Sequence, residues 1–156
     1  MATKTKDTSK DTVKKPALFK IKISEEETER LLNQMFTEGF ATIDFEIIPN
    51  KLHATIKTLS ADDQLILERR MSIIEGSSIF VLHSYTIEVL SYTVLKYGES
   101  TFKDPEDAKQ FLEKLPGVLL DKLIKIQNSF ETQVKHILKF DKINEHFFES
   151  PSTLSE

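Results

Sequence analysis

The chain has 156 residues, 39% of them hydrophobic and 29% charged, a composition that excludes collagenous, membrane-embedded and wholly disordered classes and fits one globular domain. Lys and Arg total 21 against 25 Asp and Glu, a net charge of -4, so the molecule as a whole has little pull toward nucleic acid or anionic lipid. There is no cysteine, which removes disulfides, thiolate nucleophiles and Cys-based zinc sites and suits a reducing cytosol.

Residues 1–16 carry Lys4, Lys6, Lys10, Lys14 and Lys15 against Asp7 and Asp11. This polar, low-complexity stretch is expected to be a disordered basic tail, without the apolar run of ~7–15 residues that a secretory signal needs. Pro16 marks a change of composition, and Leu18, Ile21 and Ile23 suggest a short extended segment that could add an edge strand. Ser24 followed by Glu25, Glu26 and Glu27 predicts a capped helix start, with Leu31, Leu32, Met35 and Phe36 as its apolar stripe and Gly39 as its stop.

From Phe40 the period becomes two. Ile43, Phe45 and Ile47 alternate with polar residues, and after Pro49-Asn50-Lys51 the same is true of Leu52, Ala54 and Ile56, which predicts a hairpin with one apolar face. Ser60 with Asp62 and Asp63 opens a second helix, expected to run through Leu65, Ile66, Ile73 and Ile74 to a break at Gly76-Ser77-Ser78. Residues 79–97 read as the central helix, ending at Gly98. Its apolar window is interrupted by His83, Ser84, Glu88 and Ser91 and falls short of the ~20 apolar residues of a spanning helix, so it is read as buried within the domain. Asp104-Pro105 caps a short helix ending near Leu115. A last long helix follows, with Leu119, Leu123, Ile126, Phe130, Val134 and Ile137 as its apolar stripe. Residues 17–140 thus form the single globular domain, and residues 141–156, with Phe147 and Phe148 in a polar setting, read as a loosely attached tail. The fold class expected is α+β, mostly helical, with an antiparallel β-hairpin packed on three to four helices.

No motif in this sequence carries chemistry. Phosphate loops, GxGxxG, GxSxG and HExxH are missing, and only four glycines are present. His53, His83, His136 and His146 have no companions at ligand spacing, so neither a metal nor another cofactor is expected and no catalytic residue is assigned. Glu25-Glu26-Glu27, Asp62-Asp63 and Asp104 stand at helix starts, where capping and the helix dipole account for them. Arg69-Arg70 is expected to lie on a solvated face, paired with neighbours such as Glu68. The Lys-rich tail lacks arginines and interleaved aromatics, so nucleic-acid binding is disfavoured, though it remains the alternative function for residues 1–16.

The stretch PNKLHATIKTLSADDQLILERRMS (residues 49–72), a strand feeding T-L-S-x-x-[DE]-Q and then an amphipathic helix, resembles small tail-assembly chaperones and baseplate-hub proteins of tailed bacteriophages. The continuation is similar too, with a long helix ending at Gly98 and the acidic, proline-bearing FKDPEDAKQFLEKLP. The resemblance covers residues 45–138. It implies a non-enzymatic role in the host cytoplasm, as a chaperone or as a subunit retained in the virion, with other phage tail or baseplate proteins as partners, no membrane, and an oligomer left open. An unrelated soluble adaptor is the rival within the same class. Phe147-Phe148, the hairpin face (Ile43, Phe45, Ile47, Ile56) and the last helix (Leu123, Ile126, Phe130, Val134) are the candidate contact surfaces; for the hairpin and helix faces intramolecular core is the favoured reading, and Phe147-Phe148 can equally fold back onto the core.

Overall fold

The computed structural model describes residue 21 and residues 23–139, which fold as α1 (Glu25–Glu38), β1 (Thr42–Ile48), β2 (Leu52–Lys57), α2 (Ala61–Met71), α3 (Ser78–Thr93), β3 (Val94–Tyr97), β4 (Ser100–Thr101), α4 (Pro105–Leu112) and α5 (Gly117–Ile137). The four strands form one antiparallel sheet in the order β1-β2-β3-β4. The chain is therefore a mostly helical α+β protein, as its periodicities predict.

The helix starts follow from local chemistry. Ser24 Oγ accepts from Glu27 N–H at 3.2 Å, while the Glu27 carboxylate pairs with Arg30 instead of reaching back to the cap. At Ser60 the capping box is complete, with Asp63 N–H donating to Ser60 Oγ at 3.1 Å and Ser60 N–H to Asp63 Oδ2 at 3.2 Å. Asp104 Oδ1 accepts from Glu106 and Asp107 N–H at 3.0 and 2.9 Å. Gly39 ends α1 in the left-handed conformation at φ 79°, where a side chain would be strained.

The hairpin pairs Ile43 with Ile56 and Phe45 with Ala54, and a bulge between Glu46 and Ile48 brings the strands to the Pro49-Asn50-Lys51 turn. Ile43, Phe45, Ile47, Ala54 and Ile56 face the helices, while Asp44, Glu46 and His53 are exposed on the other face. One core results, joining Ile47, Ile56, Val94 and Tyr97 of the sheet to Leu31, Leu90, Leu112, Leu123, Ile126, Phe130 and Val134 of the helices. The stripe of α5 contributes Leu120, Leu123, Ile126, Phe130 and Val134, and Lys122 Nζ donates to the Ile47 carbonyl across the interface. Gln127, buried on the same helix, donates from Nε2 to the Lys57 carbonyl at 3.2 Å, tying α5 to the exit of β2.

Three expectations change. Residues 94–97, read as the last turn of the central helix, are strand β3, because Tyr97, Lys96 and Val94 pair with Ala54, Thr55 and Ile56 of β2. The hairpin is thereby extended to four strands, and the predicted edge strand near Ile21 and Ile23 does not form at these two residues. Both isoleucines instead pack half-buried against the core. The second helix stops at Met71, so Ile73 and Ile74 lie in the connection to α3. No helix among the described residues is long and apolar enough to cross a membrane.

Candidate functional site

The structure moves the candidate contact surface. Ile47, Ile56, Leu123, Ile126, Phe130 and Val134 are buried, and Ile43 and Phe45 are half-buried against the same cluster. These faces cover each other, sheet against α5, so they are the core and not an outward surface. Phe147 and Phe148 lie outside the described residues.

Phe36 and Val118 are exposed singly and Leu65 and Ile66 as a pair, but the longest run of exposed apolar side chains among the described residues is the N-terminal half of α3, in the helix that composition marks as buried. Ile79 is 83% exposed, Leu82 66%, Phe80 54% and Tyr85 46%, and Ile73, in the connection before it, is 80% exposed. From Ile87 onward the same helix is buried on every side through Thr93. A helix that is hydrophobic all round ordinarily has neighbours all round. Among the described residues, only its second half finds them. Ser77 caps the exposed half, its Oγ accepting from Phe80 N–H at 3.3 Å. The Phe80 ring lies over Gly76, where a Cβ would come within 2.8 Å of it at a backbone φ of 151°.

The root of this arm is held by a buried carboxylate. Glu88 is 5% exposed, and its two oxygens take different helices: Oε1 accepts from Lys109 Nζ of α4 at 2.5 Å, and Oε2 from Arg70 Nη1 of α2 at 3.2 Å. The Arg70 guanidinium also sits over the Tyr92 ring, 5.6 Å from its centroid. Arg70 thus pairs across helices and not with Glu68 as expected. The hydrogen bond to Glu88 outweighs partial burial and raises the Lys109 ammonium above its ordinary pKa.

Between α2, α3 and α5 runs an open cleft of about 560 Å3. Leu59, Leu67, Met71 and Val89 give it apolar lining, Tyr85 brings the exposed half of α3 to it, and Gln64, Glu131 and Lys135 are among its polar residues. Glu131 Oε1 accepts from Leu59 N–H at 2.9 Å and from Gln127 Nε2 at 3.3 Å. Gln127 Oε1 is the one buried side-chain polar atom without a hydrogen-bond partner among the described residues.

The remaining candidates fall where capping and solvation put them. His53, His83 and His136 are exposed, His53 lying 4.0 Å from Glu46, and His146 is outside the described residues. No group of three or more metal-ligating side chains converges among the described residues. Asp63 has a second duty beyond the cap. Burial pushes its carboxyl up, but Lys57, 2.7 Å away, and Ser60 together hold it below the usual value, and the same Lys57 ammonium lies 5.1 Å from the Phe40 ring centroid.

Sequence reasoning missed the arm. Residues 76–87 contain no Asp, Glu, Lys or Arg, a signal that was present but was read as burial. The chain matches no protein-family model, no curated protein and no solved structure.

Proposed function

We propose that this chain is a non-enzymatic assembly protein, a chaperone or structural subunit of a bacteriophage tail or baseplate, acting by protein–protein binding. One observation carries the binding mode: the exposed, uncharged N-terminal half of α3, with Ile79 and Leu82 largely in water. Contiguous apolar surface of this kind marks interaction sites, and a helix presenting i, i+3 apolar residues suits partner helices or grooves. The open cleft beside Tyr85 adds room for a partner side chain. The phage setting is supported by the resemblance of residues 45–138.

Affinity capture from infected cells, with the full chain and its Ile79→Glu/Leu82→Glu variant, tests this reading. Recovery of tail or baseplate chains by the former and their loss with the latter is the expected result. Capture of nucleic acid or of a metabolic complex, independent of these two residues, would overturn it.

A further inference from the structure

Every other helix of the described residues turns charged side chains to solvent, as Glu25, Glu29, Asp62, Glu68, Glu106 and Lys125 show. Residues 76–87 form the longest stretch of the chain without Asp, Glu, Lys or Arg, in a sequence 29% charged, yet most of its side chains are exposed. At 100° per residue, Ile79, Leu82, His83 and Thr86 share one stripe, opposite the side that carries Glu88. Ile79, Leu82 and Thr86 have the i, i+3, i+7 spacing of a helix–helix seam.

We infer that this stripe joins two copies of the chain, α3 of one protomer lying antiparallel to α3 of its partner across a two-fold axis near Leu82. Charge selects a second copy first. In a two-fold contact a patch meets itself, so any net charge on it is set against its like; a stripe with none is self-complementary, whereas an acidic or basic partner segment would find nothing here to pair with. Area agrees. Ile79 and Leu82 on the stripe, with Phe80 and Tyr85 flanking it and Ile73 before it, are all exposed, and covering five such side chains on each protomer buries on the order of 500 Å2 a side, toward the lower end of a two-chain interface. Anchoring agrees as well, since the buried half of α3 and the Glu88 clamp fix the point and direction at which the exposed half leaves the domain. In this arrangement Leu82 packs on the partner's Leu82, and Ile79 on the partner's Tyr85. The inference rests on the reading of α3 as a protein-binding surface and names the occupant of that surface.

Because the chain has no cysteine, a single introduced thiol reports on this contact directly. Sedimentation of the full chain at up to about 100 μM should give twice the 17.9 kDa monomer mass. Ile79→Glu/Leu82→Glu should weaken association by at least about a hundredfold, with an unchanged circular-dichroism spectrum. Mixing that variant with Ile79→Lys/Leu82→Lys should restore a mixed dimer that neither forms alone. Under mild oxidation Leu82→Cys should cross-link to a dimer while Val118→Cys, at an exposed position outside α3, should not. A monomer throughout that range, with Leu82→Cys cross-linking no faster than Val118→Cys, overturns the dimer. So does a monomer whose Leu82→Cys thiol is slow toward a soluble reagent, because the cover then lies within the chain. If tail components are still captured in a manner dependent on Ile79 and Leu82, the protein-binding reading stands without the dimer; if not, both fall.

Discussion

The two halves of α3 share one backbone axis and much the same apolar character, and differ in what surrounds them. Residues 87–93 are enclosed: Ile87 and Leu90 enter the main core, Val89 and Tyr92 pack with Leu67, and Glu88 is paired to helices on two sides. Residues 78–86 extend past those neighbours, with Ile79 and Leu82 in water. Hydropathy measures the demand for cover, and packing alone decides whether the same chain meets it.

The contrast can be broken most sharply with one chemical change made in both halves. Leu90→Ala, at a fully buried position, should lower unfolding free energy by about 3 kcal/mol, and Leu82→Ala by less than ~0.5 kcal/mol in dilute protein, read from urea denaturation. Equal costs would mean that the arm is covered within the monomer. At the boundary, Glu88→Ala should cost about 2 kcal/mol, less than a fully enclosed ion pair because Arg70 and Lys109 can turn to water. Gln at position 88 should retain part of that. An unchanged denaturation midpoint would show that the clamp contributes nothing net.

The smallest effects are those of pH. Lys109 has a raised folded-state pKa, so its contribution is complete below the ordinary lysine value near 10.5 and is lost as pH rises through the folded value. Asp63 is the reverse case: its lowered pKa gives stability that is present above the ordinary 3.8 and disappears as pH falls through the folded value. Thermal melts of Lys109→Met and Asp63→Asn should therefore converge on the parent at the alkaline and acid ends respectively, and parallel curves over the whole range would argue against both assignments.

Much of the fold is legible in local signals. Ser24, Ser60 and Asp104 each start a helix where a short polar side chain can take the free N–H groups, and Gly39 ends one where positive φ is required. The hairpin and the α5 stripe are periodicities of two and of 3.6, and both survive in the structure. What was not legible depends on distant partners. Val94 to Tyr97 keeps the apolar character of the helix before it, and only pairing with Ala54, Thr55 and Ile56 makes it a strand. Glu88 reads in the sequence as an interruption of an apolar run, since Arg70 and Lys109, which turn it into a clamp, stand 18 and 21 positions away. The exposed apolar arm is hard to read for a related reason. Ile47, Phe130 and their neighbours show strong amphipathic patterns because they satisfy one another, and the surface left over is the one whose pattern is weakest.

The position of the Glu88 clamp bears on how the helix comes apart. Fraying that begins at Ser77 can run through the exposed turns up to Thr86 while releasing little buried surface, and it halts where opening another turn would pull the Glu88 carboxylate away from Arg70 and Lys109 and uncover Leu90. The arm can therefore open and re-form as a local unit, on a free-energy scale of its own, while the sheet and α5 remain closed. A partner helix that seats on it would silence that local opening without altering the global unfolding of the domain.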